Sequence, residues 1–257
     1  MTPVLAIAGN TVKEATRNKV FYSIFFFALL IILNSFVFTE LTIAVFDRIL
    51  RDVATGAIDF FGALMAIFLG IGLVSREVDR KTIYTVITKP IRRSEFILGK
   101  FAGLGTVLVA TLGAMYLSFL VVVFVFSVDP PPLSPLVWYF VLTLVELGVV
   151  VAFAIFVSTF SSSMLSAFFT VGMYVIGHLS GDLYFFGQRS ESAAARWLST
   201  ALYYVLPNLS RFSVAEEVTY GRPVDGTGAA LAILYGLLWM AAFLAAAILV
   251  FDRRDFK

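Results

Sequence analysis

The side chains able to do chemistry are few and far apart in this 257-residue chain. Cysteine is absent, which removes disulfides, thiolate metal sites and thiol nucleophiles together. His178 is the only histidine. No cysteine and no cluster of Met or Asp accompanies it, so the soft-ligand set of a metal site is missing. The methionines Met1, Met65, Met115, Met164, Met173 and Met240 are scattered along the chain. His178 is therefore expected to be a hydrogen-bonded structural residue, with no metal bound. The hydroxyls near it lie in strongly apolar sequence, which implies no reacting pocket for a Ser-His-Asp arrangement. Nor does a phosphate loop exist. Gly99-Lys100 is followed by Phe101 and lacks the upstream glycine of G-x-x-x-x-G-K-[ST]. What remains is Glu146, a carboxyl in the middle of an apolar run.

The elements that carry these residues must lie in a bilayer. Sixty per cent of the chain is hydrophobic and 14% charged, with a mean hydropathy of +0.94. Soluble domains are roughly half apolar and about a quarter charged, so lipid must take up the excess. A spanning helix needs about 20 mostly apolar residues. Six stretches qualify, at 20–38, 57–75, 101–128, 136–159, 164–181 and 229–251. The fourth and fifth are parted only by Ser161–Ser163, where a tight turn is expected, because one unbroken helix would exceed any bilayer. Asp59, near the outer end of the second stretch, is expected to snorkel to water. A carboxyl at the depth of Glu146 costs a few kcal/mol on insertion scales and so faces protein or a water-filled cavity. Two readings stand for it: a pathway or gating residue, or a protonated or hydrogen-bonded packing residue. Gly99 and Gly103, like Gly177 and Gly181, form G-x-x-x-G pairs that permit close helix approach.

Orientation follows from the basic residues. Of the 19 lysines and arginines, most lie in 1–19 (Lys13, Arg17, Lys19), 76–100 (Arg76, Arg80, Lys81, Lys89, Arg92, Arg93, Lys100) and 252–257 (Arg253, Arg254, Lys257). The positive-inside rule makes these segments cytoplasmic, which predicts a multi-pass protein of the inner (cytoplasmic) membrane with both termini inside. A net charge of only +2 gives no nucleic-acid signature.

Two flanking segments are more than loops. In 1–19, Val4, Ile7, Ala8, Thr11, Val12 and Ala15 share one helical face, which predicts a short interfacial helix; the alternative is an extension of the first span. The external segment 182–228 contains the aromatic stretch Trp197–Phe212, which predicts an interfacial or re-entrant helical hairpin. The fold class is thus an all-α membrane protein, a single domain over 1–257 with six spans.

The longest cytoplasmic loop reads SREVDRKTIYTVITKPIRRSEFILGKF from Ser75 to Phe101. Residues 77–88 can form a helix with Val78, Ile83, Val86 and Ile87 on one side and Glu77, Asp79, Arg80 and Lys81 on the other. Pro90 forces Lys89 out of the helical region, and Ser94 can cap the next helix, with Glu95 in its first turn. Such an element can transmit a push from a cytosolic partner, or it can simply anchor the topology.

Glu77 near the end of span two, then Thr82, Pro90, the basic Arg93, and Gly99-Lys100 at span three resemble the permeases of the type-2 ABC exporter family. The layout of the whole chain agrees, and is similar to the permease subgroup linked to multicopper-enzyme maturation. The resemblance implies that the loop is a coupling helix docking in an ATPase cleft, with Glu77, Arg80, Thr82, Ile83, Pro90 and Arg93 as coupling residues and 1–19 as a connecting helix. It implies two cytosolic ATPase subunits as partners, which would hold the ATP and magnesium, this chain holding no cofactor and not being catalytic. It further implies a second permease, identical or related, and an outward pathway between the two, lined by spans one, two and five. The other classes to weigh are a secondary transporter or channel, which needs charged or broken helices at the midplane, and a membrane scaffold.

Overall fold

The computed structural model describes residues 3–34, 46–79, 92–127 and 130–253. Nine α-helices cover most of them: α1 Pro3–Ala15, α2 Lys19–Leu33, α3 Phe46–Asp79, α4 Arg93–Phe126, α5 Leu133–Ser158, α6 Ser163–Arg189, α7 Ala193–Val205, α8 Ala215–Tyr220 and α9 Gly226–Asp252. A 3₁₀ turn, Leu209–Phe212, joins α7 to α8. No strand occurs among the described residues. Five helices, α3, α4, α5, α6 and α9, are long and apolar enough to cross a bilayer.

The first expected span, 20–38, is represented by α2, whose apolar part Phe21–Leu33 is shorter than the other five; residues 35–45 lie outside the described residues. The second span begins earlier than expected, because α3 starts at Phe46 and carries Asp47, Arg48, Arg51 and Asp52 on its first turns. These charges hid the helix from a hydropathy reading. Arg51 is buried, and its Nη1 donates to the Thr219 carbonyl at 3.3 Å, which ties α3 to α8. The fifth span also runs on, to Arg189.

α5 sits at the centre, packed against α3, α4, α6 and α9. Lipid gives helices no hydrophobic reason to associate, so small residues that let backbones close up take over. A Cβ added at Gly70 of α3 would meet Ala154 of α5, and one at Gly236 of α9 would meet Val145 of α5.

The turn at 159–162 falls where the serines place it. At the end of α5, Ser158 Oγ donates to the Ala154 carbonyl (2.7 Å), Thr159 Oγ1 to Phe156 (2.7 Å) and Ser161 Oγ to Val157 (2.9 Å). These hydroxyls add second donors to carbonyls of the last turns, where the backbone amides of Thr159, Phe160 and Ser161 turn back onto Phe156 and Val157 and close the helix. The expected aromatic hairpin is helical: α7 folds back on α6, and Gly187 admits Ser199 at their contact. Trp197 and Tyr204 remain exposed.

At the other end, α1 is a separate helix, parted from α2 by Thr16–Asn18. It lies against the start of α4, its most extensive partner. Gly99 and Gly103 form the seat: an added Cβ would come within 2.8 Å of Ile7 Cβ and 2.6 Å of Thr11 Cβ respectively. Of the second glycine pair only Gly177 is a close approach, to Pro207 and Leu209; Gly181 faces open space. Gly103→Leu is therefore expected to lift α1 and destabilise the protein by about 1–3 kcal/mol, the usual cost of overpacking. Gly105→Leu, on a face with nothing within 4 Å, serves as the control; equal thermal midpoints for the two variants in detergent would refute the seat.

Candidate functional site

Two groups of polar residues are assembled from separate helices, and an apolar cavity opens between other parts of the bundle. The first is the junction at the base of α4, directly after the loop singled out in the sequence. α4 begins at Arg93, not at a Ser94 cap. Arg92 is the N-cap, and its amide donates to Glu95 Oε2 at 2.9 Å, because a Glu three residues into a helix can reach back to the capping backbone. Lys100, one turn further on, is 1% exposed. Its Nζ lies 3.5 Å from Glu14 Oε2 of α1 and 5.8 Å from the centre of the Phe96 ring. The Gly-Lys pair that cannot cradle phosphate thus has another use: glycine admits α1, and lysine pairs with it.

Arg93 is turned inward. Its Nη1 donates to the carbonyls of Phe251 (2.6 Å) and Asp252 (2.9 Å) at the end of α9. The Phe251 ring stacks on Phe96 with 5.7 Å between centroids. Of the other residues expected to couple, Arg80, Thr82, Ile83 and Pro90 lie outside the described residues, and Glu77 belongs to the last turns of α3. The structure brings Arg93 and Lys100 together at one junction.

The second group lies at membrane depth among α3, α5 and α6. Asp59 does not snorkel outward: the Tyr139 hydroxyl of α5 lies 2.8 Å from its Oδ1 and 3.1 Å from the Thr55 carbonyl, so one proton serves two acceptors. The carboxyl follows a phenol donor rather than water because that donor meets it in the helix interface. Two turns along α5, Glu146 is buried, with Oε1 3.4 Å from His178 Nε2 of α6. His178 Nδ1 lies 3.2 Å from the Tyr174 carbonyl. A carbonyl only accepts, so Nδ1 carries a proton there. The Glu146–His178 contact then requires a second proton, on the ring or on the carboxyl. Among the described residues, no three His, Cys, Asp or Glu side chains form a group able to hold a metal.

Sequence reading found Glu146 and His178 separately. It missed that they touch, and it missed Tyr139 altogether, since a tyrosine in an apolar run carries no mark of its partner.

The cavity lies between the starts of α2 and α6 and the later part of α3. It has a volume of about 340 Å³ and is lined by Phe21, Ile24, Met65, Leu69, Ser163 and Met164 among others.

No curated protein matches the chain by sequence. The profile described as ABC-2 family transporter protein matches residues 13–256. That span takes in α2, α4 with its Gly99-Lys100 seat, the central polar residues and α9, and it reaches the family rather than any subgroup within it. The chain therefore belongs to the ABC-2 family of transporter proteins, as a multi-pass membrane permease component.

Proposed function

We propose that this permease moves its substrate outward, powered by ATP hydrolysed on two separate cytosolic subunits, and works beside a second permease, identical or related. The junction at the base of α4 is the observation that carries this reading. A loop expected to meet the ATPase runs directly into a helix whose first turns grip two other elements, α1 and α9, so force applied there is not dissipated in a free segment. Among the described residues, α1 with Lys13, the start of α4 with Arg92, Arg93 and Lys100, and the end of α9 with Arg253 meet at the junction, in keeping with cytoplasmic termini and an inner-membrane location. The apolar cavity supports a pathway lined by spans one, two and five, since α2, α3 and α6 are those spans.

Coupling-loop variants test the proposal. A charge placed in a packed, desolvated contact costs several kcal/mol, so Ile83→Asp and Thr82→Arg should abolish co-purification of the ATPase. Glu77→Ala should weaken it, whereas Arg80→Ala, which the coupling reading expects on a solvated rim, should cost under about 1 kcal/mol. Membrane insertion and detergent stability should stay at wild-type levels. Full association in all four variants would leave the loop as a topology anchor only.

A second reading, a proton-coupled transporter independent of ATP, draws on the Glu146–His178 pair, which requires a shared proton at membrane depth. It predicts that a pH gradient alone changes the conformation of the purified permease in vesicles, without nucleotide or ATPase.

A further inference from the structure

The last helix ends on carbonyls that it cannot satisfy itself. The final turn of an α-helix leaves its C=O groups without intrahelical donors and carries the negative end of the dipole, which favours a cation. The last turn of α9 holds no basic residue of its own. The cation comes instead from Arg93, the first residue of another helix, through bonds of 2.6 and 2.9 Å to Phe251 and Asp252. Packing supports this geometry. The guanidinium lies 5.9 Å from the Phe251 ring centre, and Phe251 stacks on Phe96, one turn above Arg93, at an interplanar angle of 10°. Phe251 is itself buried. Side chains on two successive turns of α4 thus hold the end of α9, and Lys100 on the next turn holds α1 through Glu14.

We infer that Arg93 is a positioning residue that clamps α9 to the base of α4, so that a displacement delivered through residues 80–91 moves the last span together with the third. This inference rests on the coupling role proposed above, and it gives Arg93 a different task from docking the ATPase. Lysine can supply a point charge but not the planar fork of donors, so Arg93→Lys should keep only part of the clamp.

Because the chain has no cysteine, nitroxides can be placed at will. Leu98 on α4 and Leu249 on α9 are both exposed. Labels on Leu98→Cys and Leu249→Cys in the purified, full-length permease should give one narrow distance by dipolar broadening. The distance should broaden in Arg93→Gln and shift part-way in Arg93→Lys. With the ATPase bound and trapped by ATP and vanadate, the nucleotide-driven change at the Leu249 label should fall about tenfold in Arg93→Gln, within the usual range of coupling between sites. ATPase association and hydrolysis should stay within twofold of wild type. An unaltered label distance in Arg93→Gln would overturn the clamp. A loss of ATPase association of tenfold or more in that variant would also overturn it, by placing Arg93 on the docking surface. If the wild-type permease itself fails to bind an ATPase, the proposed function falls, while the label distances still decide the clamp.

Discussion

Lys100→Glu should detach α1 from the base of α4 and lower stability by about 3–5 kcal/mol, the range for removing one partner of a buried ion pair. The asymmetry of the pair sharpens this expectation. The Lys100 side chain is 2% exposed and that of Glu14 37%, so nearly all the desolvation falls on the lysine. Glu14→Gln should therefore be nearly as costly, because it leaves the Lys100 ammonium buried without its counter-charge and with only an amide oxygen to accept from it. Lys100→Met should be close to neutral, since an apolar side chain of similar length removes the buried charge altogether. The swap of Glu14→Lys with Lys100→Glu should recover only part of the loss, because the carboxylate then occupies the buried end beside Phe96. Thermal midpoints in detergent measure all four variants, and a spin label on Leu5, exposed on α1, reports attachment directly. If Lys100→Glu holds α1 as wild type does, the glycine seat alone keeps the helix in place.

The second large effect is expected in the buried group, where two variants should move stability in opposite directions. Tyr139→Phe removes the donor to Asp59 and leaves the carboxyl in a helix interface without that bond. The penalty for a stranded buried acceptor is about 1–3 kcal/mol. Glu146→Leu should do the reverse. It removes the buried carboxyl, and His178, whose side chain is 33% exposed, can turn Nε2 to water while keeping its bond to the Tyr174 carbonyl, so no buried charge is stranded and stability should hold or rise. A leucine variant as stable as wild type or more so would mean that packing does not require the carboxyl. A marked drop in thermal midpoint would instead make Glu146 a packing residue and remove it from the candidate pathway.

Local signals served the sequence reading well, and contacts between distant residues escaped it. Ser161–Ser163 marked the turn between α5 and α6 because hydroxyls at a helix end have a local task. The face shared by Val4, Ile7 and Thr11 marked α1 as a helix apart. By contrast, Tyr139 and Asp59 stand 80 residues apart, and Arg93 and Phe251 are separated by 158. Which of these meet depends on how each helix is rotated about its axis. A globular helix declares its rotation through an apolar stripe, but α5 and α9 are apolar all round, so their sequences mark no inward face. The start of α3 was obscured for a related reason. Hydropathy sees Asp47, Arg48, Arg51 and Asp52 as the end of a span, although the backbone bonds of the helix continue through them. Family resemblance singled out Arg93 as a basic residue of the loop, and only the fold shows which way it turns.

The seat of α1 also sets an order on biosynthesis. The residues that receive it, Gly99, Lys100 and Gly103, leave the ribosome roughly ninety residues after α1 itself, which at about 5–20 residues per second is on the order of 5–20 seconds. Over that interval the newborn amphipathic segment has no protein surface to rest on, and the bilayer interface offers the nearest apolar one. The interfacial helix read from the sequence and the packed helix of the folded chain then describe successive lodgings of the same thirteen residues, first on lipid and later on span three. The transfer from one to the other would fall after the third span has entered the membrane.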